Sequence, residues 1–241
     1  MKTKTAPTVT KRPADERGQA DHGWLQARFT FSFSGYFDPD HMGFKSLRVM
    51  NNDTIQPGGG FPTHPHSDME IFTYLIEGQL EHRDSMGNGA VLTPGKLQYM
   101  SAGSGIEHSE FNPSKTDKTH LYQIWLHPNE VGGEPRYAEK SLADLVAPNE
   151  LTLLYSGDGR DGSTEIRQEA EISFGLMDAG HTINVPASDS MPHAWIQVIS
   201  GEVSVLGETL GTADGLAIED APEDFVISAS AESRFLLFRL S

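Results

Sequence analysis

Short stretches in which apolar and polar residues alternate recur along most of the chain. Clear examples are residues 24–33 (WLQARFTFSF), 46–50 (SLRVM), 70–83 (EIFTYLIEGQLEHR) and 120–126 (HLYQIWL). Alternation with a period of two, in segments rich in aromatic and β-branched residues, predicts half-buried β-strands. Glycine and proline separate these stretches, as in 57–60 (PGGG) and 87–89 (GNG), which are typical of turns. The pattern therefore predicts an all-β protein.

One segment departs from this alternation. Tyr137, Leu142 and Leu145 recur at helical spacing within residues 137–146, which predicts a short helix. Proline, glycine and charged residues concentrate around it. We therefore expect this helix to lie in a linker between two halves of the chain.

The two halves resemble degenerate copies of one unit. Residues 73–81 (TYLIEGQLE) align with 196–204 (IQVISGEVS), because each is an apolar strand, a glycine and an outgoing strand. A glycine turn then opens an apolar strand in both halves, at Gly95 and at Gly215. Such a repeat favours two tandem β-barrels or jelly rolls. We predict a disordered tail at 1–13, an N-terminal barrel at 14–130, a linker with a short helix at 131–150 and a C-terminal barrel at 151–241.

Composition narrows the function classes. The formal net charge of −16 repels phosphate backbones and anionic membrane surfaces, so we expect no direct nucleic-acid or membrane binding, while a basic patch on a protein partner would be attracted. The chain has no cysteine, which excludes disulfides and thiolate metal sites and suits a reducing compartment. Residues 1–13 lack the apolar core of a secretory signal, although a targeting role is an alternative to a plain tail. We expect a cytoplasmic monomer.

Two pairs of potential metal ligands stand at strand spacing. His64 and His66 are two residues apart, and so are His108 and Glu110. In a strand, residues i and i+2 point to the same face, so each pair can reach one ion. A lone histidine is usually a surface or hydrogen-bonded residue, but two such pairs in one barrel supply three imidazoles and a carboxylate. This donor set suits one divalent transition metal: Fe(II), Ni(II), Cu(II), Mn(II) or Zn(II).

Other residues compete for the same role. Asp68 and Glu70 have the parity of His64 and His66, so either could face the metal and Glu70 is the main rival to Glu110. His82, His120 and His127 have no spaced partner, which favours structural roles. The C-terminal half contains only His181 and His193, twelve residues apart, so we expect it to hold no metal.

The motifs around these residues resemble those of a known family. Gly58, His64, His66, Glu70 and Gly78 follow the spacing of the first cupin motif, apart from one extra residue before Gly78. Residues 22–24 (HGW), 42–44 (MGF), 64–66 (HPH), 84–88 (DSMGN), 102–106 (AGSGI), 108–110 (HSE) and 121–125 (LYQIW) resemble the pirin family in particular. One departure is Pro62, where that family is expected to have glycine; it affects the loop shape rather than the ligands.

The resemblance implies a bicupin with one metal, normally iron, in its N-terminal barrel on residues matching His64, His66, His108 and Glu110. It also implies a choice of functions. The first is a metal-dependent dioxygenase of the quercetin 2,3-dioxygenase type, which takes a small aromatic molecule and dioxygen, with Glu110 placed as a general base. The second is a metal-loaded regulatory pirin that binds a protein partner without turnover. A metal-dependent isomerase or sugar-binding cupin is a third, weaker reading.

Overall fold

The computed structural model describes residues 6–221 and 223–241, which are almost entirely β. The strands are β1 Thr8–Arg12, β2 Gly18–Asp21, β3 Leu25–Phe29, β4 Leu47–Ile55, β5 Gly60–His66, β6 Glu70–Glu77, β7 Leu80–Asp84, β8 Gly89–Leu92, β9 Lys96–Ser101, β10 Ile106–Phe111, β11 Thr119–Leu126, β12 Arg136–Ser141, β13 Glu150–Ser156, β14 Thr164–Glu165, β15 Ala170–Met177, β16 Thr182–Val185, β17 His193–Ser200, β18 Val203–Val205, β19 Glu208–Leu210, β20 Gly215–Glu219, β21 Phe225–Ala229 and β22 Ser233–Leu240. Single 3-10 turns occupy Ala14–Glu16, Leu142–Asp144 and Arg160–Gly162. The predicted all-β fold class is confirmed. Within the described ranges, no helix is long and apolar enough to cross a membrane.

The N-terminal domain comprises residues 18–144. Its larger sheet has the strand order β12-β9-β6-β11-β4-β3-β2, and its smaller sheet has the order β5-β10-β7-β8. Apolar side chains from both sheets meet in one core, for example Leu75 on β6 and Leu80 on β7. The space between the two sheets is therefore the interior of this domain.

The C-terminal domain comprises residues 145–241 together with the described residues 6–17. Its sheets have the orders β1-β20-β17-β22-β15-β13-β14 and β16-β21-β18-β19. The larger and smaller sheets again enclose one apolar core, to which β17 contributes Ile196 and β18 contributes Val203. The two domains thus have matching sheets, as the internal repeat predicts.

The glycine at the centre of the repeat explains why both halves keep it. Gly78 lies between β6 and β7 with φ of 81°, and Gly201 lies between β17 and β18 with φ of 86°. A Cβ at Gly78 would overlap the carbonyl oxygen of Lys118, and one at Gly201 would overlap that of Glu232. Lys118 and Glu232 each immediately precede the strand that pairs with β6 or β17. The same close backbone approach therefore requires glycine in both domains.

Residues 8–12 correct the prediction of a disordered tail. They form β1, which pairs antiparallel with β20 from Thr8 opposite Glu219 to Arg12 opposite Gly215. Val9 packs against the C-terminal core, and the Lys11 ammonium lies 2.9 Å from Asp214. Composition misses this strand because its partner lies about two hundred residues away in sequence. Residues 1–5 of the predicted tail lie outside the described residues.

The helix predicted at residues 137–146 is also wrong. Residues 136–141 form β12, in which Tyr137 lies opposite Met100 of β9, and only Leu142–Asp144 makes a single 3-10 turn. Pairing with β9 satisfies the backbone here, so a tertiary contact overrides the helical spacing of three apolar residues.

Strand β6 differs from its predicted half-burial. Glu70 through Leu75 are all buried. Leu75 joins the core between the sheets, whereas the ring of Phe72, on the opposite face, stacks on Tyr99 with centroids 5.2 Å apart. Both faces of the strand are covered, so its polar residues Glu70 and Thr73 are buried too.

Candidate metal centre

Two neighbouring strands of the smaller sheet bring the predicted ligands together. In the antiparallel pair β5 and β10, His108 lies opposite His64, and Ile106 lies opposite His66. The register shifts between His108 and Glu110, so Glu110 lies opposite Phe61 and β5 carries one extra residue. Pro62 falls in this bulge on an edge strand, where its missing N–H removes no ladder hydrogen bond that the sheet needs. The departure at Pro62 is thus compatible with the strand.

The three histidines form a compact cluster. Ring centroids are 4.8 Å apart for His64 and His66, 4.4 Å for His64 and His108, and 4.9 Å for His66 and His108. One ligand atom from each of these residues lies within 4.8 Å of the others. His108 is 2% exposed, while His64 and His66 are half-buried. The cluster therefore has an inner, buried edge and an outer edge that solutes can approach.

Glu110 lies deeper, between the two sheets. It is buried, and Gln123 of β11 donates a 3.0 Å hydrogen bond to its Oε2. Its Oε1 lies 3.4 Å from both the Thr73 hydroxyl and the Gln123 amide nitrogen. Glu110 shares a group of potential ligand atoms, again within 4.8 Å of one another, with His108 and His82. The structure thus places the four predicted ligands in two overlapping groups that have His108 in common.

Glu70 lies on the other face of β6 from the residues that contact Glu110. Its carboxylate accepts hydrogen bonds from Tyr99 and Ser101, each at 2.5 Å. Thr73, three residues later, faces Glu110 instead. The parity shared by His64, His66 and Glu70 is lost because Asp68, between the strands, adopts φ of 50° and turns the chain. The number of residues between two side chains on either side of a turn therefore does not show whether they point to the same face of a sheet.

Burial favours the neutral form of two histidines in the cluster, His66 and His108. Burial, reinforced by charge on His108 and His64, lowers the pKa of His66 to about 4. Burial, followed by charge on His64 and His82, lowers the pKa of His108 to about 3. Neutral imidazole is the form that binds metal, so no proton has to leave these two rings at neutral pH.

Two ring nitrogens show that the cluster suits a metal ion. Nδ1 of His64 lies 2.8 Å from the carbonyl oxygen of Pro62. Because a carbonyl only accepts, Nδ1 is the donor and Nε2 of His64 keeps a lone pair. Nε2 of His108 is buried and has no hydrogen-bond partner among the described residues. A buried acceptor without a partner is costly, and a cation bound there would satisfy it.

His82 is the residue that sequence reasoning missed. It is fully buried on β7, and its Nδ1 lies 3.5 Å from Nδ1 of His108. His82 and Asp84 form a third i, i+2 pair, with 3.4 Å between His82 Nε2 and Asp84 Oδ2. The rule that singles out the other two pairs would also have found this one. By contrast, His120 binds Asn52 at 3.0 Å and fits its predicted structural role.

A cavity opens beside the outer edge of the cluster. It has a volume of about 380 Å³ and is lined by Pro65, His66, Ser67, Ser85, Gly105, Ile106 and Glu107. The half-buried Trp125 meets His66 edge to face, with ring centroids 5.0 Å apart. Cavities of roughly 300–1,000 Å³ are typical of small-molecule sites. The arrangement thus offers a small organic molecule a place next to the histidines.

Comparison with known families covers both domains. The Pirin family model matches residues 10–126, and the model described as the quercetinase C-terminal cupin domain matches residues 153–240. A quercetin 2,3-dioxygenase of Escherichia coli (strain K12) is 48% identical over 230 residues, which cover 95% of this chain and 97% of the relative. A pirin-like protein of Caulobacter vibrioides is 38% identical and covers 88% of this chain and 91% of its own length.

Solved structures agree with this assignment. The bacterial pirin YhhW from Escherichia coli, in complex with nickel(II), has a TM-score of 0.91 at 45% identity and covers 97% of this chain and 99% of its own. A quercetin 2,3-dioxygenase from Acinetobacter baumannii, at 18% identity and a TM-score of 0.76 over 97% of this chain and 86% of its own, shares the fold. Together with the His/Glu cluster, the nickel complex indicates a metal site in this chain.

Proposed function

Because this chain belongs to the pirin family, we propose that it is a metal-dependent dioxygenase acting on a flavonol-like aromatic substrate. The observation that carries the proposal is the cluster of three histidine rings next to a cavity large enough for a small molecule. The quercetin 2,3-dioxygenase name of a relative with 48% identity supports the substrate class. A fold alone would not, since one fold hosts many reactions.

His64, His66, His108 and Glu110 are the residues that would hold the metal. Three imidazoles and a carboxylate suit a first-row divalent ion, and we propose Fe(II) as the native one. When bound, such an ion supplies Lewis acidity toward a substrate hydroxyl and a redox contact for dioxygen. Imidazoles bind a metal in their neutral form, so a divalent ion held by three of them and the Glu110 carboxylate would keep a net positive charge, which would favour a phenolate.

Glu110 is also the candidate base. Gln123 holds Oε2 at 3.0 Å, whereas both contacts to Oε1 are longer, at 3.4 Å. Oε1 is therefore the oxygen that accepts the proton of a substrate hydroxyl. Burial of Glu110 between the sheets keeps bulk water away from this transfer. General-base catalysis of this kind contributes about 10²–10⁴-fold in rate.

The cavity and the aromatic rings next to it would bind the substrate. A flat aromatic molecule entering the cavity meets His66 and Ile106, which line its wall. Trp125 contacts His66 edge to face, with ring centroids 5.0 Å apart, and thus adds an aromatic ring next to this wall.

An oxygen-uptake assay tests the proposal. The protein is purified anaerobically, analysed for metal, stripped, and reloaded separately with Fe(II), Mn(II), Ni(II) or Cu(II). We expect oxygen consumption with quercetin that requires metal and falls at least about 10²-fold in Glu110→Gln. His181→Gln, at an exposed position in the C-terminal domain, is the matched control and should keep full activity. Absence of turnover with all four metals would refute the dioxygenase assignment.

A regulatory pirin without turnover is the second candidate. The formal charge of −16 favours it, because such a surface attracts a basic protein partner. This candidate predicts no flavonol turnover, together with binding of a basic protein that changes when the metal is removed or oxidised. Its affinity should fall steeply with salt, as measured by titration calorimetry at two ionic strengths.

A further inference from the structure

A buried row of polar groups runs from the last residue of β7 to His108 on β10. Asp84 comes first, His82 second and His108 third, with 3.4 Å between Asp84 and His82 and 3.5 Å between His82 and His108. The side chains of His82 and Asp84 are both 0% exposed. Residues 84–88 belong to the motifs that resemble the pirin family, yet the proposed chemistry assigns none of them a role.

Asp84 is the hydrogen-bond acceptor at one end of the row. Its Oδ1 accepts from the backbone N–H groups of Met86 and Asn88, both at 3.0 Å, and its Oδ2 accepts from the Asn88 amide at 2.9 Å. Burial opposes ionisation, but these hydrogen bonds from Asn88, together with the contact to His82, lower the pKa of Asp84. An ionised carboxylate can only accept, so the His82 Nε2 that faces it carries the hydrogen.

The hydrogen on Nε2 determines the role of the other nitrogen of His82. A neutral imidazole that donates from Nε2 must accept at Nδ1. The Gln98 amide nitrogen lies 3.0 Å from that Nδ1 and donates to it. Tyr137 stacks on the His82 ring with centroids 5.2 Å apart and an interplanar angle of 30°. Gln98 and Tyr137 therefore hold the ring in place with its acceptor atom toward His108.

The contact with His82 bears on which nitrogen of His108 carries the hydrogen. The single lone pair of His82 Nδ1 accepts from Gln98 at 3.0 Å, and His108 Nδ1 lies 3.5 Å from the same atom. A lone pair on His108 Nδ1 would face that lone pair and be repelled, whereas a hydrogen there can share it. This contact therefore favours the hydrogen of His108 on Nδ1 and its lone pair on Nε2. That Nε2 is the buried atom without a partner among the described residues. His64 has the same arrangement: its Nδ1 donates to the backbone carbonyl of Pro62, which leaves the lone pair on Nε2.

We propose that Asp84 and His82 are positioning residues that hold His108 in the Nδ1–H tautomer, so that its Nε2 is always free to bind the metal. This inference rests on the proposed metal ligands but not on the proposed reaction. Hydrogen-bond partners that orient a ligand imidazole in this way are typically worth about 10–100-fold in metal affinity.

The test variant is Asp84→Asn, which keeps the size of the side chain and an oxygen acceptor for the turn. The new amide can donate to His82 Nε2, which would reverse the polarity of the row. The matched control is Asp38→Asn, because Asp38 likewise pairs with a histidine of the same domain, with 2.8 Å between its Oδ2 and His41 Nδ1. Thermal unfolding of each metal-free variant shows whether it is folded.

The first readout is Ni²⁺ affinity from competition with a chelator, since Ni²⁺ requires no exclusion of oxygen. We expect about 10–100-fold weaker binding for Asp84→Asn and no change for Asp38→Asn. His82→Phe, which keeps an aromatic ring against Tyr137 but removes both nitrogens, should weaken binding by a similar factor. Wild-type affinity in folded Asp84→Asn would overturn the inference.

The second readout is imidazole ¹⁵N NMR of the metal-free protein, which reports the tautomer directly. In the wild type, His108 should carry its hydrogen on Nδ1, and in Asp84→Asn a population protonated on Nε2 should appear. A wild-type His108 protonated on Nε2 would overturn the inference, as would a second bound Ni²⁺ that His82→Phe abolishes, because His82 would then be a ligand. Neither readout depends on turnover, so failure of the dioxygenase assay alone leaves the inference intact.

Discussion

The Tyr99 hydroxyl donates a 2.5 Å hydrogen bond to Oε2 of Glu70. Burial, then the adjacent Glu70 carboxylate, raises the pKa of Tyr99, so the hydroxyl keeps its proton and stays a donor. The Ser101 hydroxyl donates to the other carboxylate oxygen of Glu70, Oε1. Both oxygens of Glu70 are thus engaged on the face of β6 that points away from Thr73 and Glu110.

This placement predicts different outcomes for two matched substitutions. Glu110→Gln should weaken metal retention by about 10–100-fold or more, because it removes the only carboxylate of the proposed ligand set. Glu70→Gln should retain metal and instead lower the free energy of unfolding by about 1.5–3 kcal/mol, through weaker hydrogen bonds to Tyr99 and Ser101. Metal content after dialysis against a chelator, with urea unfolding as the second measurement, separates them. The reverse ranking would mean that Glu70 is the ligand.

The chain should bind one metal ion. Both groups of potential ligands found among the described residues lie in the N-terminal domain. In the C-terminal domain, His181 is exposed and His193 Nδ1 accepts a 3.2 Å hydrogen bond from the backbone of Asp220. Metal analysis should therefore give one equivalent for the wild type and for His193→Ala, and none for His108→Ala. Two tightly bound equivalents in the wild type would contradict this prediction.

The glycines of the internal repeat should be among the least replaceable residues. Gly78→Ala would place a Cβ against the backbone of Lys118, in addition to the strain of a positive φ. We expect it to cost more than about 3 kcal/mol in unfolding free energy, since backbone overlap cannot relax easily. Gly95→Ala is the control, because Gly95 has the same φ of 81° but an added Cβ would meet nothing within 4 Å.

For Gly95→Ala we expect only the left-handed strain, about 1–2 kcal/mol. Equal losses for Gly78→Ala and Gly95→Ala, measured by urea unfolding, would show that φ alone explains the glycine and that the close approach to Lys118 is unimportant.

Asp214 should make the anchoring of β1 depend on pH. Although burial raises its pKa, hydrogen bonds from Lys11, Ala14 and Gly211 lower the pKa of Asp214 below 3.8. The folded state therefore favours the carboxylate, which contributes stability above pH 3.8 and loses it as the pH falls through the lower folded value. Asp214→Asn should cost about 1–3 kcal/mol at pH 7, and this difference from wild type should be smaller when it is measured at pH 2.

Urea unfolding at the two pH values measures this difference. Asp178→Asn serves as a control in the same domain, since Asp178 is exposed and accepts a 2.9 Å hydrogen bond from the uncharged Asn149 amide. A penalty for Asp214→Asn that persists unchanged at pH 2 would indicate a packing defect instead of a lost charge.

Local pattern determined much of this protein from the sequence alone. Alternation predicted the strands within residues 24–33, 46–50, 70–83 and 120–126, because side chains in a strand point to opposite faces with a period of two. The same rule grouped His64 with His66 and His108 with Glu110, and the repeated Gly78 and Gly201 predicted the two-domain fold. Each of these features is read from the local pattern of a short segment, and the repeat follows from comparing two such segments.

Tertiary structure decided what depends on distant residues. Pairing with β20 makes residues 8–12 a strand, and pairing with β9 replaces the predicted helix near Tyr137. The turn at Asp68 breaks the parity that Glu70 shares with His66, so only the folded chain shows that Glu70 faces Tyr99. The contact between His82 and His108 joins β7 to β10, and a period along one strand cannot report which side chains meet across two.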